Sequence, residues 1–290
     1  MNVIWVTIER LFYSKTAVKL SINFSTSHFY LCIKNNTSLS PIITKNKIGQ
    51  PFVQFEAIYS TNSYAIDSLQ ANLAAHGTAY FAHHQTAGKG QRGKEWHTQP
   101  SSNIILSVIV DSTALGIHQQ FQLSVAVALA CHDFFSQYAG DETTVKWPND
   151  IYWRDRKAAG ILIENIIKGN VWQWAVVGIG ININQTSFGE YAKNPVSLKQ
   201  ITGEQFDTVK LAKELCNELD HRYQQLLNRD FTTLLSEYNQ YLYKAGQVVK
   251  LKKDTATFTC TIKQVNSNGQ LEVIGAAKDC FEFGEVEWVI

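Results

Sequence analysis

The sequence predicts an α+β protein built from a larger body of strands and helices and a small all-β unit behind it. Three observations carry that prediction. Hydrophobic residues make up 45% and charged residues 18% of the 290, a balance that buries a large core and does not belong to a disordered chain. Between residues 48 and 243, stretches with apolar residues three and four apart are interleaved with short β-branched and aromatic runs. From about Ala245 the period becomes two, giving four or five short strands in too few residues to bury much surface alone.

Residues 1–47 are rich in Lys, Asn, Ser and Thr and keep no period after the apolar start "VIWVTIERLFY", so they are expected to be an accessory or poorly ordered extension. In "STNSYAIDSLQANLAAHG", Ser60 or Thr61 is an N-cap, Ala65, Ile66, Leu69 and Leu73 share a helical face, and Gly77 is a stop. "TAYFAHHQ" and "NIILSVIVD" read as strands, which puts His83 and His84 on opposite faces, where they cannot share a metal. "HQQFQLSVAVALACHDFFSQYAG" is a buried helix ending at Gly140. "TTVKWPNDIYW", "KAAGILIENII" and "VWQWAVVGIGINI" form an antiparallel meander, with Trp172 and Trp174 on one face as core or barrel-contact residues. Two amphipathic helices follow, one over 209–227 and one in "FTTLLSEYNQYL". "QVVKLKK", "ATFTCTIKQV", "GQLEVIG" and "CFEFGEVEWVI" then make a small barrel over 244–290, docked on the domain at 48–243.

The formal net charge is +1, so no global field favours nucleic acid or membrane, although residues 1–55 hold six Lys or Arg against the single acid Glu9. Five cysteines, none in a C-x-x-C pair, point to reduced thiols in a cytoplasmic protein and not to a disulfide framework or zinc site. No apolar run approaches the roughly 20 residues of a membrane span, and no secretory signal opens the chain. The expectation is a soluble, intracellular protein.

The stretch "AGKGQRGKEW" (87–96) spells G-x-G-x-x-G through Gly88, Gly90 and Gly93, and falls one residue short of a P-loop. Neither motif fits its context. A polar loop with Pro100 follows in place of the required helix, and Glu95 stands where a P-loop has its magnesium-binding hydroxyl. Taken alone, the stretch is either an anion-binding loop, with open backbone N–H groups beside Lys89, Arg92 and Lys94, or an exposed basic turn. Two further stretches bear on the choice. "VKWPNDIYWRDRKAAGILIE" sets Asn149 and Asp150 after a proline and Lys157 at a strand start, where a compact charge holds a carboxylate or phosphate. "VVGIGININ" ends a strand in glycines and in Asn182 and Asn184, side chains suited to phosphate or metal-bound water.

With "STN" at 60–62, these stretches in this order resemble the catalytic domain of biotin–protein ligases (biotin–[acetyl-CoA-carboxylase] ligases) from about Gln50 to Ile290. The specific part is K-W-P-N-D-(x)6-K-x-x-G-I-L, and G-K-G-Q-R-G is close to the family's G-R-G-R-x-G loop. The resemblance implies a mixed sheet with flanking helices, related to class II aminoacyl-tRNA synthetases, and an SH3-like C-terminal barrel. It implies ATP and biotin as substrates, with Mg2+ arriving on ATP and no protein metal ligand assigned. Biotin is activated as biotinyl-5′-AMP and transferred to one lysine of a biotin carboxyl carrier protein or domain. By the same resemblance Ser60, Thr61, Asn62 and Gln85 hold biotin; Lys89, Gly90 and Gln91 close over biotin and adenylate; and Gly88, Arg92 and Gly93 complete the nucleotide loop. Trp96 stacks on adenine, Asn149 and Asn182 handle nucleotide and magnesium, Lys157 binds the biotin carboxylate and then the phosphoryl group, and Asp150 orients or deprotonates the incoming lysine. Arg92 assists at the phosphates.

The departures are Lys89 and Gln91, where the family has arginines: lysine keeps the charge without the bidentate fork, and glutamine loses the charge. Rival readings are a lipoate or octanoate ligase on the same scaffold, whose Arg-Gly-Gly-rich signature has no counterpart here; a ligase doubling as a biotin-sensing repressor; and a catalytically dead binding module. Residues 1–50 show no helix–turn–helix pattern, so a ligase without operator binding is expected, as a monomer or homodimer.

Overall fold

The structure, a computed structural model, describes residues 46–189 and 193–289 together with three strands before them. Those strands, Ile4–Val6 (β1), Leu20–Ser25 (β2) and His28–Ile33 (β3), pair antiparallel in that order within a unit of their own, Met1–Asn46. Apart from Asn46 and Lys47, the rest of the expected 1–47 extension lies outside the described residues. Lys47–Ile290 form the second compact unit.

That unit opens with Phe52–Phe55 (β4), a strand the sequence pattern did not mark, and helix α1 over Thr61–Gln70. Ser60 caps α1, its hydroxyl accepting from the Ser63 N–H. The helix stops well before Gly77. Asn72 takes the left-handed conformation (φ 56°), its N–H reaches Leu69 O and the Leu73 N–H reaches Ser68 O, which closes the helix end and leaves Leu73 exposed and off the helical face. Asparagine here does what the pattern assigned to glycine. Ala79–Ala82 (β5) ends before His83 and His84, so the two histidines sit beyond the strand.

Asn103–Asp111 (β6) leads to Gln120–Ala139 (α2), which Gly140 ends at φ 75° as expected. The expected single strand "TTVKWPNDIYW" is a hairpin, Thr143–Lys146 (β7) and Asp150–Trp153 (β8), turned at Trp147–Pro148–Asn149. Proline cannot donate to a ladder, and the chain reverses around it. Arg156–Lys168 (β9) and Val171–Asn182 (β10) complete the meander. A short helix, Leu198–Thr202 (α3), precedes Thr208–Leu227 (α4) and Phe231–Gln240 (α5).

The main sheet has the order β4-β5-β6-β10-β9-β8-β7, with β4 and β5 parallel and the other neighbours antiparallel, so it is mixed. Along β10, Ala175, Val177, Ile179 and Ile181 join the large core with Leu106, Val108 and Val110 of β6 and the apolar sides of α2 and α4. The alternate residues face the other way. There Val176 packs with Tyr80, Ile109 and Ala65 of α1. Trp172 and Trp174 fall in different clusters, contrary to the expected shared face, because a bulge between them shifts the register against β9 by one residue.

A second sheet follows, built from Val248–Lys253 (β11), Ala256–Val265 (β12), Leu271–Ile274 (β13), Cys280–Phe281 (β14) and Glu287–Trp288 (β15), all antiparallel in the order β14-β13-β12-β11-β15. Its β12–β13 turn sits on the main body, where the Trp147 indole N–H donates to Gly269 O (2.9 Å). No helix among the described residues is long and apolar enough to cross a membrane.

Candidate active site

On the α1 face of the main sheet, cross-strand rows set the shape of a cleft. The row Ile109–Val176–Glu164 lies at the α1 end. The next row, Ser107–Gly178–Leu162, carries a glycine at its centre, and the third, Ile105–Gly180–Gly160, carries two. Missing side chains hollow the sheet where flanking rows fill it. The Gly178 gap is taken by Asn62: a Cβ there would lie 2.3 Å from Asn62 Oδ1. The Gly180 gap is taken by the Trp96 ring, with a Cβ 2.4 Å from its Cε2, and Gly160 approaches the same ring.

One end of the cleft is polar and uncharged at its surface. The Thr61 N–H and hydroxyl donate to Gln85 Oε1 (2.8 and 3.1 Å), and the Ser107 hydroxyl lies 2.6 Å from Asn62 Oδ1 and 2.7 Å from Thr61 Oγ1. Two hydroxyl protons are shared among three acceptors, so acceptor capacity remains for a ligand N–H. The Asn62 amide is aimed by donation to Glu164 Oε2 (2.8 Å). Ser60, 1% exposed, sits beside it as the helix cap. Ser107 and Glu164 were not picked out in the sequence. The available signal was polarity in an apolar strand, one serine in "NIILSVIVD" and one glutamate in "GILIEN".

The other end is charged. Lys157 Nζ lies 2.7 Å from Asp150 Oδ1, with the two side chains 28% and 19% exposed. Backbone bonds fix the Lys157 main chain on both sides: its N–H donates to Asn194 O (2.8 Å), and its carbonyl accepts from the Val196 N–H (2.9 Å) and from Asn182 Nδ2 (3.3 Å). Asn182 is therefore a buried support behind the lysine, not part of the cleft wall. Asn149 does line the cleft, and its side-chain amide donates to Ile161 O (2.9 Å).

The 88–96 loop covers the opening as a small hairpin. Gly90 N–H donates to Lys94 O, Trp96 N–H to Gly88 O, and Arg92 turns the chain at φ 57° beside Gly93 at φ 74°. Gly88 has no room for a side chain, since its Cβ would meet Trp96 O at 2.3 Å. Lys89, Gly90, Gln91 and Trp96 line the cleft, and Gln91 Nε2 reaches Ile161 O at 3.4 Å. Arg92 does not line it. Its guanidinium donates to Gly284 O (3.0 Å) in the turn between β14 and β15. Trp96 lies over the glycine floor with its ring 5.6 Å from Lys157 Nζ, and its buried indole N–H has no partner among the described residues.

The arrangement can receive a molecule with a neutral hydrogen-bonding head, an apolar middle and an anionic end. A fixed lysine meets the anion, and a carboxylate stands beside it to receive or orient a cation. Among the described residues, no group of three or more His, Cys, Asp or Glu could hold a metal ion.

The model of the biotin/lipoate A/B protein ligase family matches residues 54–182. The bifunctional ligase/repressor BirA of Bacillus spizizenii is 30% identical over 227 residues, 77% of this chain and 69% of that protein. The biotin–[acetyl-CoA-carboxylase] ligase of Mycobacterium tuberculosis is 29% identical over 230 residues, 78% of this chain and 79% of that one. In fold, the chain is similar to the biotin protein ligase from Aquifex aeolicus in complex with biotin and ATP (TM-score 0.69, 22% identity, 81% of this chain and 97% of that one).

Proposed function

The chain belongs to the biotin/lipoate A/B protein ligase family, and from that premise we propose that it is an ATP-dependent biotin–protein ligase acting on a biotin carboxyl carrier domain. One observation carries the choice of substrate within the family: the far end of the cleft is a compact hydrogen-bonding pocket lined by Thr61, Asn62 and Gln85, with the buried Ser107 hydroxyl bonded to Thr61 and Asn62 behind them. A ureido ring, with two N–H donors and a carbonyl, fits such a pocket. The hydrocarbon tail of an octanoyl group would leave its polar groups unpaired at a cost of about 1–3 kcal/mol each.

In the first half-reaction a biotin carboxylate oxygen attacks the α-phosphorus of ATP, and the bond to the β-phosphate breaks to release pyrophosphate. Two anions must meet, and Lys157 supplies the fixed charge between them. The Lys89–Trp96 loop shuts water out, and Asn149 with Asn182 holds the local backbone to which the nucleotide binds. In the second half-reaction the acceptor lysine nitrogen attacks the carbonyl carbon of the mixed anhydride, and the C–O bond breaks to release AMP. The amine arrives mostly protonated near neutral pH, so it needs a nearby carboxylate, the role given to Asp150. Magnesium arrives with the nucleotide on this reading. The division into 48–243 and an SH3-like 244–290, and kinship with class II aminoacyl-tRNA synthetases, belong to the same proposal; the five short antiparallel strands at the C-terminus support its second part.

ATP–pyrophosphate exchange with biotin, lipoate or octanoate as the acid, followed by transfer to a carrier domain, is the test. Exchange driven by biotin and biotinyl transfer are expected. Exchange driven by lipoate or octanoate and not by biotin would overturn the reading.

A further inference from the structure

Lys146 opens the K-W-P-N-D stretch, and the reaction above does not use it. It is the last residue of β7 and pairs directly with Asp150, the first of β8, so both side chains leave the hairpin on the same face. Lys146 is 8% exposed and does not line the cleft. Its ammonium donates to the Tyr152 hydroxyl (2.9 Å) and lies 4.5 Å and 5.4 Å from the ring centres of Tyr152 and Trp288. Among the described residues, no carboxylate is within ion-pair distance of it, whereas Lys157 holds Asp150.

A buried ammonium without a carboxylate partner is costly. Burial pulls the Lys146 pKa down to about 8; Asp150 opposes that, and Lys157, Lys193 and Lys94 add to it. A methionine would fill the space between Tyr152 and Trp288 with no such cost, so packing does not account for the charge. The neighbour that gains from it is Asp150. Lys157 is the residue that must meet the substrate anion, and on doing so it leaves a half-buried carboxylate without its partner. Lys146, enclosed on the other side, cannot follow.

We propose that Lys146 is a positioning residue, the counter-charge that keeps the Asp150 carboxylate in place while Lys157 is engaged with substrate, so that Asp150 is aimed at the incoming amine. This rests on the ligase reading. The test is a double-mutant cycle on the two half-reactions, pyrophosphate exchange with biotin and single-turnover transfer from preformed biotinyl-adenylate to a carrier domain. Lys146→Met is expected to leave exchange within about twofold of the parent and to slow transfer about tenfold. In the Asp150→Asn background, the same substitution should change transfer less than about twofold, because the effect runs through the carboxylate. Equal losses in both half-reactions, additive losses in the cycle, or unaltered transfer would overturn the proposal. If Lys146→Met folds poorly, the titration of Lys146 followed by NMR of 13Cε-labelled lysine decides the matter. Its midpoint should fall below about 8 in the Asp150→Asn variant, because the carboxylate raises it. An unmoved midpoint would overturn the coupling. Biotin-dependent exchange by the parent protein decides the ligase reading separately.

Discussion

Gly178→Ala tests the idea that the polar end of the cleft exists because a strand lacks a side chain. The new Cβ would lie 2.3, 2.8 and 2.9 Å from Oδ1, Cγ and Nδ2 of Asn62, where ordinary contact begins at 3.4 Å. Asn62 would have to retreat by about 1 Å. It is 4% exposed and held by Ser107 Oγ at 2.6 Å and Glu164 Oε2 at 2.8 Å, so a retreat of that size takes both bonds beyond hydrogen-bonding range. One neutral bond is worth about 1 kcal/mol and one to a carboxylate about 1.5–3 kcal/mol, a total near 3 kcal/mol. For a unit of this size, that lowers the melting temperature by about 6–12 °C. Biotin loses an acceptor that the network aims, which weakens binding by about tenfold. Differential scanning fluorimetry and isothermal titration calorimetry read the two effects. A melting temperature within about 1 °C of the parent, with biotin affinity within about twofold, would show that Asn62 is not held as described.

Further outcomes follow from other residues. Gln91→Arg adds a charged fork at a position whose amide makes a single long bond to Ile161 O, and biotinyl-adenylate should survive gel filtration about tenfold longer; an unchanged lifetime would separate Gln91 from adenylate retention. Tyr238→Phe removes a buried hydroxyl without a partner among the described residues and should raise stability by about 1 kcal/mol in urea unfolding; a loss of stability would mean that the hydroxyl is satisfied. Lys146 makes stability pH-dependent with a definite sign. Its folded pKa, about 8, lies below the ordinary lysine value, so from pH 8 to about 10.4 the unfolded chain binds more protons and stability rises with pH. Relative to Lys146→Met, the parent should gain up to about 3 kcal/mol across that window, and parallel pH profiles for the two would refute the burial of the charge.

Much of the molecule could be read from its residues, and the failures share a cause. Long periodic elements such as α2 and α4 were legible because many residues vote for one face. α1 was read too long because Leu73 continues the pattern in sequence while Asn72 ends the helix in space. The shared face assigned to Trp172 and Trp174 failed because a bulge changes parity without leaving a mark in the residue types. In the cleft, the motif residues Thr61, Asn62, Gln85, Asn149 and Lys157 come together on one lining. Ser107 and Glu164 escaped notice because they matter only through strand register, which brings β6 and β9 to either side of Gly178. Arg92 was assigned by its place in a motif, and its contact with Gly284 is one between residues far apart in the chain.

The alternation along β10 separates two kinds of change. Val177 and Ile179 face the core beneath α2 and α4, whereas Gly178 and Gly180 open into the cleft. A strand that serves two purposes at a period of two sets its cleft-shaping and core-filling positions one residue apart. Substitutions at the even positions reshape the cleft and, as at Gly178, also press on the side chains seated in the glycine gaps, while those at the odd positions alter the core alone. A one-residue slip of the strand would exchange the two roles and lose both.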